Sequence, residues 1–465
     1  MAKKIVFTER LTTFYKYPSV CIYQDKIEDI NKYLSFLEEP SARVRDQMIY
    51  IHIPFCANMC SYCPFFKVNY KQQSRETVDR VVDSICLELK MYADSPFFKD
   101  VPIVNVHMGG GTPMILDVGH FEKIFRTIRD GFNMDACEVI SIEGDPLTLQ
   151  EGNKLKELKG MGMTRCSFGM QTFNERLRKK LGILSSTRDV YKAVDTIRKA
   201  DVEEFACDML YNLPDQNVNE IRYNIDRVCE MKPEGIDFYD LNLLPNTLLQ
   251  KRIDKGAFRL KPSNRSEIDQ YRAGLEVFRE NNYEQIRSVV FRPVGAPPPS
   301  PAGVLNRYHE DILAIGPSAR TTLYSGGANY RNACTLEEYI SSLESGRLPI
   351  EAGNFMTPEV AEERDLILFP YYLNISKNEI NYMRFKDRID DMVESGYIEE
   401  VDGCLQLTEL GRLWPGNVQY YFHSEVEKAR IANTTISCLM DGKSIFNQDS
   451  MNCTKTGSTS VELRD

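Results

Sequence analysis

Three cysteines stand close together in this sequence. Cys56, Cys60 and Cys63 lie in Tyr50-Ile-His-Ile-Pro-Phe-Cys-Ala-Asn-Met-Cys-Ser-Tyr-Cys-Pro-Phe-Phe66, a C-x3-C-x2-C loop directly after a short apolar run. Thiolates at this spacing can serve one inorganic centre, zinc or an iron–sulfur cluster. A structural zinc site usually closes with a fourth ligand at similar spacing, and none follows here. His52 is near, but it sits in a strand pattern with Tyr50 and Ile53 and reads as a packed core histidine. A cluster held by three cysteines keeps one iron open for a further ligand, which is what a reactive cofactor needs. The other ten of the thirteen cysteines are scattered through apolar or alternating stretches and read as small buried hydrophobes.

A reactive loop needs a frame. Strand-like runs near 49–54, 102–108, 138–143, 163–169, 204–210 and 236–243 alternate with amphipathic stretches at 74–92, 118–132, 150–161, 186–200, 217–231 and 265–281. The clearest is 74–92, where Val78, Val81, Val82, Ile85 and Leu89 recur at helical spacing. Such alternation predicts an α/β fold, a parallel sheet with crossover helices, and six units predict an incomplete barrel.

In barrels of this kind the chemistry sits at the C-terminal ends of the strands. The unusual residues fall there. The first strand ends in the cysteine loop and the second at Gly109-Gly110-Gly111-Thr112-Pro113, where successive free N–H groups would suit a carboxylate. Taken alone, that run reads equally as a flexible turn. The third strand ends at Glu143, a carboxylate able to accept hydrogen bonds from a ribose diol or an ammonium group. The fourth ends in Arg165-Cys-Ser-Phe-Gly-Met-Gln171, and the fifth carries Asp208. Singly, each reads as a solvated strand end or helix cap. Together they ring one opening.

Composition sets the outer bounds. The chain has 465 residues, 42% hydrophobic and 10% aromatic, which excludes a disordered or fibrous protein. A net charge of -10 argues against non-specific binding to nucleic acid or an anionic membrane. No apolar segment follows Lys3 and Lys4, and no run approaches the ~18 apolar residues of a membrane span. A cytoplasmic protein with mostly reduced cysteines is the expectation.

The Tyr-x-His-Ile-Pro-Phe-Cys lead-in and the cysteine loop resemble the radical S-adenosylmethionine (SAM) superfamily, in particular its oxygen-independent coproporphyrinogen III dehydrogenase-like branch. The likeness covers roughly residues 45–330. It implies a partial (β/α)6 barrel and a [4Fe-4S] cluster whose open iron chelates SAM. Reductive cleavage then gives a 5′-deoxyadenosyl radical that abstracts a substrate hydrogen, with the electron coming from a donor such as flavodoxin or ferredoxin. By position, Tyr50, Gly110 and Glu143 match contacts to the cluster-bound SAM. Tyr62, Gly111, Thr112, Gln171 and Asp208 match positions lining a second SAM. No residue is singled out as catalytic.

Two positions depart from the family. The dehydrogenase carries a further cysteine two residues after the third ligand, whereas Cys63 is followed by Pro64-Phe65-Phe66. That form looks more like relatives that methylate or cleave other molecules, including anaerobic haem-degrading and natural-product C-methyltransferases. Twelve residues after Gln171 the family usually has an arginine suited to gripping a carboxylate, and here stands Ile183, with Arg178 and Arg188 as nearby substitutes. The expected function is SAM cleavage followed by C-methylation, or a related change, of a tetrapyrrole or other unsaturated ring. Oxidative decarboxylation of coproporphyrinogen III and haem delivery are the alternatives. His107, a haem-ligand candidate, reads as part of its strand end.

Around the barrel, taken as residues 46–285, the expected organisation has four further parts. Residues 1–45 form an extension with a helical pattern over 26–38. Residues 286–355, with Pro293, Pro297, Pro298, Pro299 and Pro301, are expected to cross the barrel mouth irregularly. Their Ile315-Gly316-Pro317-Ser318-Ala319 resembles a Gly-Ile-Gly-x-x-Ala region of the family. Residues 356–423 read as a small winged-helix-like α+β domain with a hairpin turning at Asp402-Gly403. Its acidic run, Glu394, Glu399, Glu400 and Asp402, argues against DNA as partner. Residues 424–465 are expected to hold one helix and a flexible tail.

Overall fold

The computed structural model describes residues 4–11, 34–41, 47–241, 243, 247–296, 311–325, 327–356, 358–425, 427–429 and 462–463. Six parallel strands lie side by side in chain order: β1 (Gln47–Ile53), β2 (Ile103–Gly110), β3 (Val139–Gly144), β4 (Arg165–Gln171), β5 (Glu204–Tyr211) and β6 (Gly235–Asp240). Between them run α1 (Arg75–Ala93), α2 (Val118–Gly131), α3 (Gly152–Gly160), α4 (Glu175–Leu181), α5 (Thr187–Lys199) and α6 (Val218–Glu230). The α/β alternation read from the sequence lands on these elements to within a few residues. The exception is α4, a helix of two turns too short for its periodicity to show.

Successive strand residues point to opposite faces of a sheet, and here the two faces differ in kind. One carries Ile49, Ile51 and Ile53 of β1, Val106 and Met108 of β2, Phe168 and Met170 of β4, and Phe205 and Met209 of β5, all buried. Helical side chains such as Val81, Ile85, Leu89, Ile124 and Ile128 join them in one apolar core. Each such side chain contributes about 1.5–3 kcal/mol by leaving water. The alternate positions are Tyr50, His52, His107, Gly109, Ser141, Glu143, Arg165, Gly169, Asp208 and Asp237. That parity puts the chemistry-bearing groups of six strands on one face.

The sheet extends on both sides. Beyond β6, after α7 (Leu248–Asp254) and α8 (Asn264–Glu280), come β7 (Tyr283–Gln285) and β8 (Val290–Pro293). Beyond β1 come β9 (Asp311–Ile315), parallel to it, then β10 (Arg320–Leu323), β11 (Ala328–Asn332) and β12 (Ile350–Phe355), antiparallel in turn. The order is β7-β8-β6-β5-β4-β3-β2-β1-β9-β10-β11-β12, and among the described residues the two outer strands do not pair, so the sheet is not closed into a barrel there. This corrects the irregular segment expected over 286–355. Proline bars a regular strand only locally; from Asp311 onward the chain is short of it, and every residue of β9, β10 and β11 is buried. Residues 297–310, with most of the prolines, lie outside the described residues.

A buried carboxyl fastens this addition. Glu88 of α1 accepts from Gly316 N at 2.9 Å, Asn332 Nδ2 at 2.7 Å and the hydroxyl of Tyr339 at 2.6 Å, the last on α9 (Leu336–Glu344). Burial pushes the Glu88 carboxyl up to about 7 against the pull of these three donors.

The C-terminal part comprises α10 (Pro358–Tyr372), β13 (Asn374–Ser376), α11 (Tyr382–Glu394), β14 (Ile398–Val401), β15 (Cys404–Leu407), α12 (Glu409–Arg412) and α13 (Pro415–Phe422). Its strands form a small antiparallel sheet in the order β13-β15-β14. Asp402 and Gly403, at φ 50° and 79°, make the tight turn whose twist suits such a hairpin. Residues 4–11 strap this part to the barrel. Ile5 N donates to Ser395 Oγ at 2.8 Å, Phe7 N to Tyr397 OH at 3.1 Å, and Leu11 N to Asn417 Oδ1 at 2.9 Å. Arg10, buried, pairs with Glu267 of α8 at 3.1 Å and donates to Leu413 O at 2.8 Å. Most of the helical pattern at 26–38 and of the tail beyond 430 lies outside the described residues. Among the described residues no helix is long and apolar enough to cross a membrane.

Candidate functional site

The cysteine loop leaves β1 at the C-terminal edge of the sheet and is held from two sides. On one side Gly111 N donates to Ile53 O at 2.8 Å and Thr112 N to Phe55 O at 2.7 Å. A Cβ on Gly111 would stand 2.6 Å from Phe55 O, so only glycine allows that approach. Thr112 Oγ1 reaches Cys56 Sγ at 3.5 Å. On the other side Ser61 N and Oγ both donate to Leu181 O at the end of α4, at 2.9 and 3.0 Å. His52 braces the loop's exit, with Nε2 2.9 Å from Phe66 O and Nδ1 3.2 Å from the Tyr50 hydroxyl. It is the packed histidine the sequence suggests.

Cys56, Cys60 and Cys63 are free thiols, Cys56 buried and the other two partly so. Burial pushes the Cys56 thiol up to about 11 and the Cys60 thiol up to about 12, and the neighbouring Cys63 adds to both. Among the described residues no three His, Cys, Asp or Glu side chains converge as a single metal ion would require. Thiols spread around one loop suit a cubane, in which each thiolate takes its own iron. Three free thiols on one loop fit such a cluster.

Beside the loop, Glu143 at the end of β3 meets His107 of β2, with Oε1 3.0 Å from His107 Nε2 and Oε2 accepting from Gly110 N at 3.3 Å. Burial works against charge on Glu143, but the hydrogen bond and charge of His107 and the Gly110 N–H outweigh it and hold the carboxyl below its usual range. The Tyr50 ring stacks on His107 at 5.9 Å between centroids. A Cβ at Gly109 would lie 2.9 Å from the Glu143 carboxylate; one at Gly110, whose φ is +105°, would lie 2.5 Å from the His52 ring. The glycine run thus serves close packing. It is not the row of free N–H groups expected there, since those of Gly110, Gly111 and Thr112 are all bonded within the protein.

The other side of the mouth is built differently. Gln171 ends β4 at φ 66°, buried, and its Oε1 has no hydrogen-bond partner among the described residues. A buried amide oxygen left unpaired is costly, and a ligand would satisfy it. Arg178 does not replace the expected arginine: its guanidinium donates to Met170 O, Thr172 O, Ser185 O and Ser185 Oγ at 2.6–3.0 Å, bracing the backbone around Gln171. Arg188 is exposed on α5. Ile183 is buried with Leu177, Leu181, Leu213 and Leu249, and Cys60 and Tyr62 pack against that apolar group. Tyr62, partly buried, carries its hydroxyl near Cys60, and burial pushes it well above its usual range.

Asp208 on β5 lies in register with Asp237 on β6, and the two carboxyls influence each other. Burial pushes Asp208 well above the usual range, and the charges of Asp237 and Glu143 add to the shift. Asp237 is also raised by burial, although Arg165 and Arg287 oppose it. Two acids so placed share a proton. The sequence reading missed Asp237 and the His107–Glu143 pair. In Gly235-Ile-Asp-Phe-Tyr-Asp240 alternation alone puts Asp237 on the polar face, and that signal was available. Tyr50, Gly110, Gly111, Thr112, Glu143 and the three cysteines thus gather at one edge of the opening, with Gln171 and Asp208 facing them across β4.

Residues 50–228 match the Radical SAM superfamily. The heme chaperone HemW of Lactococcus lactis is 26% identical over 353 residues, covering 76% of this chain and 87% of the relative. The anaerobilin synthase of Escherichia coli O157:H7 is 25% identical over 387 residues, covering 81% and 84%. The oxygen-independent coproporphyrinogen III oxidase of Escherichia coli K12 is 24% identical over 409 residues, covering 83% and 88%. The solved structure of coproporphyrinogen III oxidase (HemN) from Escherichia coli superposes with a TM-score of 0.75 at 21% identity, over 88% of this chain and 96% of that one.

Proposed function

Because this chain carries a radical SAM domain, with the [4Fe-4S] cluster and SAM which that family uses, we propose that it is an enzyme directing radical chemistry at a tetrapyrrole. One observation carries the reading: three free thiols on a braced loop, at the C-terminal edge of parallel strands, beside a glutamate held ionised. When bound, the cluster and SAM supply a carbon-centred radical by one-electron cleavage. The chain's own part is placement. Cys56, Cys60 and Cys63 hold the cluster. Glu143, kept charged by His107, accepts from hydroxyl or ammonium groups of SAM, and Tyr50 and Gly110 line the same seat.

The tetrapyrrole is supported by the relatives, since haem and coproporphyrinogen, named in two of them, are both tetrapyrroles. C-methylation, the finer expectation, would draw on a second SAM lined by Tyr62, Gly111, Thr112, Gln171 and Asp208. Gln171 Oε1 invites a ligand there, yet the cation expected to grip its carboxylate is replaced by the buried Ile183 and is not restored by Arg178. Hydrogen abstraction and ring modification are therefore the conclusion, and methyl transfer is one form of it.

Anaerobic reconstitution followed by SAM, reductant and haem or coproporphyrinogen III tests this. 5′-Deoxyadenosine with a changed tetrapyrrole is the expected result; S-adenosylhomocysteine in addition would establish methyl transfer, and loss of carbon dioxide decarboxylation. Stoichiometric haem binding with neither nucleoside product would sink the enzyme reading in favour of haem delivery.

A further inference from the structure

Asp237 has no part in the seat built for SAM. It lies on β6 in register with Asp208 on β5, and both are partly accessible on the polar face. Adjacent strands run about 4.8 Å apart, so the backbone itself holds the two carboxyls side by side. Burying one acid costs stability and burying two together costs more, so the arrangement calls for a use. Few side chains crowd the pair. Gly169 stands in register with Asp208 on β4, and Ala206 and Gly235 lie two residues back on β5 and β6.

Unsatisfied polar atoms and cations share this part of the opening. Gln171 folds over Gly169, since a Cβ there would stand 2.3 Å from Gln171 Nε2, and its Oε1 is buried without a partner among the described residues. His107 Nδ1 is buried and likewise unpaired among them, while Nε2 is held by Glu143. A ligand would satisfy both atoms. The charges of Arg165 on β4, of Arg287 in the turn between β7 and β8, and of His107 favour the ionised form of Asp237, and that of Glu143 opposes it. Tyr371 of α10 lies within reach of the same charges. The pair thus keeps one proton at rest, yet its fully ionised form has two arginines near it. An acid of that kind is a usable proton donor.

We propose that Asp237, paired with Asp208, is the proton donor of the reaction, closing the substrate radical together with one electron. The proposal deepens the functional reading above and rests on it, since only a ring radical in the opening takes up such a proton. After hydrogen abstraction and rearrangement one ring carbon carries an unpaired electron. A one-electron reductant, of the class that SAM cleavage already consumes, supplies the electron that pairs it. The carboxyl O–H bond breaks and a C–H bond forms. Both carboxylates of the pair are then charged beside Arg165 and Arg287, and the pair regains its proton from water. Oxidative decarboxylation runs the other way: the radical gives up an electron as carbon dioxide leaves, and the pair would stay idle.

The test runs the reconstituted enzyme in D2O with SAM, titanium(III) citrate as reductant, and haem or coproporphyrinogen III as probe. Product hydrogens are read by mass spectrometry after N–H and O–H groups are exchanged back in H2O, and a control lacking SAM is subtracted. The unchanged protein is expected to place solvent deuterium on a carbon of the product. Asp237→Asn keeps the shape and removes the acid. It should form product about 100-fold more slowly, with the probe's KM and the first-turnover yield of 5′-deoxyadenosine within about threefold of the unchanged protein. Asp237→Glu restores an acid and should recover at least about tenfold of that loss. A pair kept for structure alone would not separate kcat from KM in this way. Product free of carbon-bound deuterium, as a decarboxylase would give, overturns the proposal, and this result needs no variant. An Asp237→Asn rate equal to that of the unchanged protein overturns it as well. If the unchanged protein alters neither probe, the functional reading itself fails, whatever the variants do.

Discussion

The two sides of the barrel mouth treat acidic residues in opposite ways. On the β2–β3 side Glu143 has a histidine and a backbone N–H, and its carboxyl is held down and charged. On the β5–β6 side Asp208 faces another acid, and burial together with that neighbour keeps a proton between them. Both are carboxylic acids on strands of one sheet, and the strand next door decides which ionises. Glu143 carries its own charge beside His107, whereas Asp208 and Asp237 hold one charge between them, so the two flanks of the mouth offer a ligand different electrostatic surroundings.

The division can be broken most severely at the loop itself. Cys60→Ala should leave a folded protein that keeps almost none of the about four irons and four sulfides of a reconstituted cluster, measured by iron and sulfide assay; unchanged contents would refute the ligand assignment. Next in size is a control remote from the mouth, Glu88, a buried acid with three donors and, among the described residues, no cation. Its folded value of about 7 lies above the usual 4.5, so the folded state keeps a proton that the unfolded chain gives up. Stability from this group is complete below pH 4.5 and falls by on the order of 3 kcal/mol as pH rises to 7. Denaturant melts across that window should show the loss in the unchanged protein and a flatter profile in Glu88→Gln.

Within the mouth, Glu143→Gln removes the ionised acceptor and should weaken SAM binding to the reconstituted enzyme by about 10- to 100-fold, read by equilibrium dialysis. Asp208→Asn replaces a carboxyl already protonated with a neutral group of the same shape. It should change SAM binding by less than about threefold. Equal effects of the last two substitutions would erase the contrast between the two sides.

Much of this was legible in the chain. The six strands and their helices announced themselves through periods of two and of three to four residues, and the cysteine loop through spacing. What escaped reading depended on neighbours distant in sequence. Nothing in Gly109-Gly110-Gly111 says that its N–H groups would be taken by Ile53 O, Phe55 O and Glu143; that follows only once β1 and β3 flank β2. Arg178 offered a cation at a plausible distance, but burial against Met170, Thr172 and Ser185 turned it into a brace. The strands after residue 311 escaped for a different reason. A cluster of prolines suggested irregular chain well past the point where the prolines stop, and β9 draws its stability from lying beside β1, more than 250 residues earlier.

The strap at residues 4–11 has a consequence for how the chain comes into being. Its partners Ser395, Tyr397 and Asn417 lie about 390 to 410 positions further on, so these contacts form only after nearly all the described chain has left the ribosome. The barrel strands β1 to β6, by contrast, are complete by residue 240. During synthesis there is an interval in which the cysteine loop is already framed while the strap still hangs free. The order of the sequence itself places the framing of the loop before the fastening of the strap.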